Sequence, residues 1–246
     1  MTNNIKYCNS YLASITEVGK NFGTIAEIKA KSMINSIPDI DIENSSFLVI
    51  GPNIVPYGLI QLGGDVTIID GIKNYGNTEF VSDRIHYDGE LADFVAQGIK
   101  FDYVIAPDEL LTYANNETDQ KQMLSLISKI ADIAFVTTIK DYKNMYTNQR
   151  YFEEPFVLRT TSNGNAIVIR KREWDQVDRQ AWVQENFIIH NDKLYVCEKH
   201  KRRTMYFKQL AKFSSDLGSK SFSVDKKNMY KPAFSKTFEY VVSITF

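Results

Sequence analysis

Carboxylates stand at two places in this sequence where a side chain could do chemistry. Asp70 directly follows an apolar run at residues 66–69, and Asp108 and Glu109 come one proline after the apolar run "FDYVIA". An acid that ends a buried strand can accept hydrogen bonds from ribose hydroxyls, and paired carboxylates can orient or deprotonate an amine or hydroxyl nucleophile. The alternatives are a solvated turn at Asp70 and a helix cap at Asp108 and Glu109.

The sequence lacks the motifs of several other enzyme classes. It has no G-x-x-x-x-G-K-[ST] phosphate loop and no G-x-S-x-G nucleophile turn. His86, His190 and His200 are scattered, and none stands beside a nucleophile. Cys8 and Cys197 lie far apart without a C-x-x-C pair, so we expect neither a disulfide framework nor a metal site.

Alternating helices and strands must position the carboxylates. The sequence predicts strands at residues 47–50, a continuous apolar run, and at residues 66–69, 84–87, 101–106 and 133–139. Apolar spacing and end signals predict helices at residues 9–36, 56–62 and 118–132. Residues 155–172 are typical of a hairpin about Asn163 and Gly164. The pattern predicts an α/β fold with a doubly wound, mostly parallel sheet that ends in an antiparallel hairpin.

The last part of the chain has a different character. Residues 1–170 carry 14 Lys and Arg against 21 Asp and Glu, a balance of −7, whereas residues 171–246 carry 15 against 9, a balance of +6. We therefore expect two regions, residues 1–172 and an α+β C-terminal extension at residues 173–246. Within the extension the sequence predicts a helix at 174–187, a hairpin about Asn191 and Asp192, a helix at 203–218 and a final strand at 238–246.

The order of motifs resembles the class I S-adenosylmethionine-dependent methyltransferases over residues 45–172. The resemblance is carried by "VIGPNIVPYG" in the first loop, Asp70 after the second strand, "HYDGELADF" at 86–94 and "FDYVIAPDELLTY" at 101–113. The first loop is similar to the glycine-poor variant of nicotianamine synthases. Asn53 stands at the second glycine position, where its tolerance of left-handed backbone would help. Val55 stands at the third, where its branched side chain would crowd a cofactor lying on the loop.

The resemblance implies a Rossmann-like fold, S-adenosylmethionine as cofactor and methyl transfer to an unknown acceptor. Asp70 would hold the ribose, and Asp88 with Tyr87 would hold the adenine. The full set of implied cofactor-binding residues is Gly51, Pro52, Asn53, Asp70, Tyr87, Asp88 and Ala106. The candidate catalytic residues on the acceptor side are Asp108, Glu109 and Tyr113. The alternative is a non-catalytic protein on this scaffold with a structural, assembly or nucleic-acid-binding role.

A basic segment, "EKHKRRTMYFKQLAKF" at 198–213, suggests a partner. Lys201, Arg202, Arg203 and Lys208 are interleaved with aromatic residues, a combination that suits nucleic acid or another anionic partner. The alternative is a helix with a solvated basic face and an aromatic core face. The N-terminus has no long apolar core and no apolar run approaches the length of a membrane span, so we expect a cytoplasmic protein. A homo-oligomer is compatible with this composition.

Overall fold

The computed structural model describes residues 22–51, 53–69, 74–75, 78–79, 85–86, 90–107, 110–114, 116–140, 156–161, 164–175, 177, 180–230 and 239–246. The helices are α1 (Phe22–Ile34), α2 (Val55–Gln61), α3 (Leu91–Gln97), α4 (Glu117–Ile130) and α5 (Phe207–Asp216), with a 3-10 helix at Leu110–Tyr113. The strands up to residue 140 are β1 (Ser46–Ile50), β2 (Asp65–Ile69), β3 (Asn74–Tyr75), β4 (Thr78–Glu79), β5 (Ile85–His86), β6 (Phe101–Ala106) and β7 (Ala131–Lys140). The later strands are β8 (Phe156–Thr161), β9 (Gly164–Trp174), β10 (Ala181–His190), β11 (Lys193–Arg203), β12 (Ser221–Tyr230) and β13 (Glu239–Thr245).

Seven strands form the main sheet, in the order β12-β13-β7-β6-β1-β2-β5. The pairs from β7 to β5 are all parallel. β13 runs antiparallel to both β7 and β12. This is a Rossmann-like, doubly wound α/β sheet that is mostly parallel and ends in an antiparallel hairpin, so the predicted fold class is confirmed.

The hairpin that ends the main sheet comes from a different part of the chain than predicted. It is formed by β12 and β13, near the C-terminus. The hairpin predicted at 155–172 does form, as β8 and β9, but it belongs to a separate second sheet with the order β11-β10-β9-β8. The turn chemistry of Asn163 and Gly164 specifies a local hairpin and carries no information about which sheet receives it. The boundary predicted at 172/173 falls inside β9, and the division of the chain into two regions stays a prediction.

The predicted helix at 174–187 is wrong, because this stretch holds the end of β9 and the start of β10. Trp182, Gln184, Ile188 and His190 are buried while the described residues between them are partly exposed, which is the period of two that a strand requires. The hairpin predicted next is confirmed. Its turn residues Asn191 and Asp192 have φ of 50° and 58°, the left-handed pair that a tight two-residue turn needs.

Two apolar cores cover the two faces of the main sheet, and β1 contributes to both. Leu48 and Ile50 pack with residues of α4 and α5, whereas Phe47 and Val49 pack with residues of α1 and α2. All four side chains are at most 3% exposed, which explains why β1 is a continuous apolar run. Among the residues described, no helix combines the length and the apolar character needed to cross a membrane.

Candidate functional site

The candidate site lies where the parallel strands of the main sheet end. β1, β2, β6 and β7 run in the same direction, so their carboxyl ends meet at one edge, the position where open α/β sheets bind ligands. Gly51 directly follows β1, and its amide donates to the carbonyl of Ile69 at the end of β2 over 2.8 Å. Its φ of +98° is a conformation that favours glycine. The first glycine of the loop is therefore required by the turn itself.

The side chain of Asn53 holds the first loop together. Its Nδ2 donates to the carbonyl of Gly51 over 2.9 Å, and its Oδ1 accepts from the amide of Val55 over 3.0 Å. The second bond satisfies a donor at the start of α2. Asn53 is not among the described non-glycine residues with positive φ, so the expected left-handed backbone is wrong at this position. Asn53 acts through its amide group instead.

The side chain of Val55 faces away from the loop surface. It is 2% exposed and packs in the core cluster that contains Val49 and Leu59. The expectation that Val55 would crowd a ligand on the loop is therefore corrected: its branched side chain fills the interior beneath α2. The side chain of Val55 therefore does not line this part of the edge.

The ends of β6 and β7 are tied together beside this loop. Ala106, the last residue of β6, is fully buried, and its carbonyl accepts from the hydroxyl of Thr137 over 2.8 Å. Thr137 is itself fully buried, so this bond is protected from water. Ala106 thus lies at the predicted edge, with its carbonyl engaged within the fold.

The 3-10 helix continues the edge after β6. A Cβ placed on Gly51 would stand 3.9 Å from Leu110 Cδ1, so the first turn of the 3-10 helix borders the first loop. Thr112 is buried, while Tyr113, the described member of the predicted catalytic set, is partly exposed. The structure therefore brings Gly51, Asn53 and Ala106 to one edge of the main sheet, with Leu110 beside them, and Tyr113 is the last residue of the same 3-10 helix as Leu110.

The predicted residues Pro52, Asp70, Tyr87, Asp88, Asp108 and Glu109 lie outside the described residues. Their roles stay predictions. In the sequence, Asp70 directly follows β2, and Asp108 and Glu109 come between β6 and the 3-10 helix. Among the described residues, no three side chains of His, Cys, Asp or Glu come together as a metal site would require.

The basic segment at 198–213 is divided between the surface and the interior. Lys201 is exposed and pairs with Asp175 over 2.9 Å, and Lys208 is exposed on α5. Arg203 donates to Gln180 over 2.6 Å. Arg202 is only 4% exposed and points into the protein, so it does not belong to the surface proposed for an anionic partner. The alternation of β11 accounts for this, because neighbouring residues in a strand face opposite sides.

Sequence reasoning missed Gln120, and it assigned Arg202 to an anionic partner although both side chains are buried against the 3-10 helix. Gln120 lies fully buried in α4, and its Nε2 is within 3.2 Å of the carbonyl of Leu111 and 3.4 Å of that of Thr204. The sequence does indicate that Gln120 is buried, because it lies four residues before Leu124 and seven before Ile127 on the apolar face of the helix. A polar residue on such a face requires buried partners.

The chain was compared with known proteins. No protein-family model matches the sequence, and no curated protein sequence matches it. Solved structures do match. The methyltransferase CcbJ from Streptomyces caelestis aligns with a TM-score of 0.63 and 12% identity, over 89% of this chain and 88% of its own. The amino pentose methyltransferase CalS10 from Micromonospora echinaspora, solved with bound S-adenosylmethionine, gives 0.58 and 9%, over 99% and 96%.

A third similar structure is the sugar N-methyltransferase KedS8 from a Streptoalloteichus species. It aligns with a TM-score of 0.58 and 11% identity, over 93% of each chain. At such identities the similarity concerns the fold alone. The resemblance of the first loop to that of nicotianamine synthases stays a prediction. The sheet order and these alignments together show that the chain has the Rossmann-like α/β fold found in methyltransferases.

Proposed function

We propose that this protein is an S-adenosylmethionine-dependent methyltransferase. The observation that carries the proposal is the first loop, where Gly51 turns at φ +98° and the branched side chain of Val55 is buried in the core. The loop therefore presents backbone at the carboxyl edge, which is what close approach of a cofactor needs. The likeness of the fold to solved methyltransferases supports the same proposal.

The described residues of the first loop are compatible with S-adenosylmethionine at the carboxyl ends of the strands. A Cβ at Gly51 would be in ordinary van der Waals contact with Leu110 at 3.9 Å and with Asn53 at 4.0 Å, so the described side chains do not crowd the glycine. We assign Gly51, Pro52 and Asn53 to the methionine part. By resemblance, Asp70 binds the ribose and Asp88 with Tyr87 binds the adenine. Ala106 is the remaining residue assigned to the cofactor site. S-adenosylmethionine, when bound, supplies an activated methyl group.

The protein's own part in the reaction is to place the acceptor. Methyl transfer depends on alignment and on exclusion of water more than on a strong base, so correct placement accounts for much of the rate. Tyr113, with Asp108 and Glu109, stands on the acceptor side of the edge in this proposal. A carboxylate there could take a proton from an amine or hydroxyl acceptor.

An amino sugar is the first acceptor class to test. Two of the similar structures are an amino pentose methyltransferase and a sugar N-methyltransferase. The choice also suits Asp108 and Glu109, since carboxylates can bind the hydroxyls and orient the amine of such a molecule. The identity of the acceptor affects neither the cofactor site nor its test.

Calorimetric titration with S-adenosylmethionine and with its demethylated product tests the cofactor site. We expect micromolar binding, and we expect Asp70→Ala to weaken it by at least about 100-fold, because two hydrogen bonds to a charged group are lost. Asp65→Ala is the matched control, since Asp65 begins β2 at the opposite edge of the same sheet. No binding at millimolar ligand would overturn the proposed function.

A further inference from the structure

Arg202 is buried against two aromatic rings where the second sheet meets the 3-10 helix. Its guanidinium carbon lies 3.8 Å from the ring centre of Tyr113 and 5.3 Å from that of Trp182. Both distances are within the range at which a cation is attracted to an aromatic face. Tyr113 belongs to the 3-10 helix and Trp182 to β10, so one side chain contacts both parts of the protein.

Hydrogen bonds give the same side chain a defined orientation. Arg202 Nε and Nη2 donate to Thr112 Oγ1 over 3.2 and 2.5 Å. Nη1 makes a longer contact of 3.5 Å with Gln184 Oε1 on β10. Thr112 and Gln184 are both buried, at 2% and 4% exposed. The planar fork of the guanidinium therefore connects two consecutive residues of the 3-10 helix to the second sheet.

The 3-10 helix depends on such contacts for its position. It has four residues, and a helix this short has few internal hydrogen bonds of its own. Gln120 of α4 also supports it by donating to the carbonyl of Leu111 over 3.2 Å. At its first residue, Leu110 borders Gly51 of the first loop. A shift of the 3-10 helix would therefore be felt at the carboxyl edge.

We propose that Arg202 is a positioning residue, through which the second sheet fixes the 3-10 helix at the acceptor side of the site. The role of the helix as acceptor side rests on the proposed function, whereas its attachment to Arg202 does not. Arg202 itself is buried and works through Thr112 and Tyr113. The second sheet thus contributes to the site without lining it.

Lysine should not replace arginine in this role. A lysine retains the positive charge, but it lacks the planar group that stacks on Tyr113 while donating through two nitrogens to Thr112. Arg202→Lys and Arg202→Met are therefore expected to behave alike. If burial of a charge were the relevant property, Arg202→Lys would preserve the wild-type behaviour.

Amide hydrogen exchange measured by mass spectrometry tests the attachment without any ligand. In Arg202→Lys and Arg202→Met we expect peptides covering residues 110–114 to exchange at least about tenfold faster than in wild type. Lys201→Met is the matched control, because Lys201 is next to Arg202 in β11 but has an exposed side chain that pairs with Asp175. It should leave that region unchanged. Unchanged exchange at 110–114 in folded Arg202 variants would overturn the proposal.

Thr112→Val decides the question if both Arg202 variants fail to fold. It removes only the hydroxyl that accepts from Arg202 and keeps the shape of the side chain. We expect the same local increase in exchange at 110–114, with the thermal midpoint of the whole protein within a few degrees of wild type. Exchange equal to wild type in Thr112→Val would also contradict the proposal.

Kinetics separate positioning from general stability. With an acceptor that the wild type methylates, we expect Arg202→Lys to lower kcat by at least about tenfold, because small displacements of an acceptor are costly. Binding of the demethylated cofactor should stay within about twofold of wild type. An unchanged kcat would contradict the positioning role. If the wild type binds no cofactor, the proposed function fails while the exchange experiment still decides the attachment.

Discussion

The main sheet and the second sheet differ in what they bury. In the main sheet the buried side chains of the central strands are mostly apolar, and Leu48, Val104 and Phe135 are fully buried, whereas the buried polar side chains described there are Thr137 and Thr138 of β7. In the described part of the second sheet, buried Ala181, Trp182 and Ile188 are accompanied by polar side chains. Those buried polar residues, with Thr204 just after the sheet, are Gln184, His190, Arg202 and Thr204.

This difference suggests that one sheet mainly stabilises the folded protein, whereas the other fixes the position of neighbouring elements. Apolar burial is non-directional and contributes most of the free energy of folding. Buried polar groups contribute less net free energy, but they must be paired in one geometry. The contacts that join Arg202 to the 3-10 helix and Gln120 to Thr204 are of this second kind. We infer that the main sheet supplies most of the stability, and that polar contacts define how the second sheet meets the 3-10 helix.

The largest expected change in stability comes from a substitution in the apolar core of the main sheet. Phe135→Ala removes a fully buried ring from the centre of the main sheet, and we expect it to lower the free energy of unfolding by about 3–5 kcal/mol. Urea denaturation followed by far-UV circular dichroism measures this. Leu194→Ala is the control from the second sheet, since Leu194 is 61% exposed and should change stability by less than about 0.5 kcal/mol. Equal losses in the two variants would contradict the comparison.

A second test concerns the close contact of α1 and α2 on the main sheet. A Cβ on Gly58 would lie 2.1 Å from the carbonyl oxygen of Ala26 and 2.7 Å from Ala30 Cβ, so the helices would have to separate. We expect Gly58→Ala to cost about 3 kcal/mol in thermal or urea unfolding.

The matched control for Gly58 is Gly23→Ala in α1. Among the described residues, the three atoms nearest to a Cβ there all belong to the end of the flexible Gln61 side chain, which can move aside. Alanine also favours a helix over glycine. We expect Gly23→Ala to be neutral or slightly stabilising, and a loss as large as that of Gly58→Ala would show that backbone contact is not the cause.

The polar junction is tested by Gln120→Leu. The variant removes an Nε2 donor that lies within 3.4 Å of the carbonyls of Leu111, Arg203 and Thr204. We expect a loss of about 1–2 kcal/mol. The loss is limited because Gln120 Oε1 has no hydrogen-bond partner among the described residues, so leucine also removes a buried unsatisfied acceptor.

Tryptophan fluorescence is a suitable probe for Gln120→Leu, because Trp174 and Trp182, the two tryptophans of the chain, lie in β9 and β10 of the second sheet. Gln122→Leu is the control, since Gln122 is exposed on the same helix. A Gln120→Leu protein as stable as the control by this probe would argue against a polar junction.

The smallest expected effect is at the surface of the main sheet. Lys100 lies 2.8 Å from Asp132, and its hydrogen bond and charge hold the pKa of that carboxyl below its usual value. A depressed carboxyl pKa stabilises the folded protein above the unfolded-state pKa of about 3.9, and this contribution is lost as the pH falls through the folded-state pKa.

Lys100→Met should therefore lower the thermal midpoint slightly at neutral pH, and the difference from wild type should vanish in strong acid. Both side chains are more than half exposed, so added salt should also reduce the difference. Lys129→Met, on the exposed side of α4, is the control. A difference that persists at low pH would show that the ion pair is not its source.

Much of the main sheet was predictable because its signals are local. A continuous apolar run identified β1, largely apolar segments identified β2, β6 and β7, and the turn at Gly51 follows from a glycine directly after a strand. The second sheet was harder, since its strands alternate and a short amphipathic stretch such as 174–187 also suits a helix. The predicted role of Val55 failed because a residue at the start of a helix can face the core or the solvent, and only packing decides which.

By itself, the sequence determined the alternation of strands and helices, the glycine turn after β1 and the tight turn at Asn191 and Asp192. Each depends on a few neighbouring residues and their backbone preferences. The tertiary structure alone decided that β12 and β13 end the main sheet, and that Arg202 reaches Thr112, which is 90 residues away in the chain. Such contacts depend on which buried surfaces and polar partners meet after folding, and no local preference encodes them.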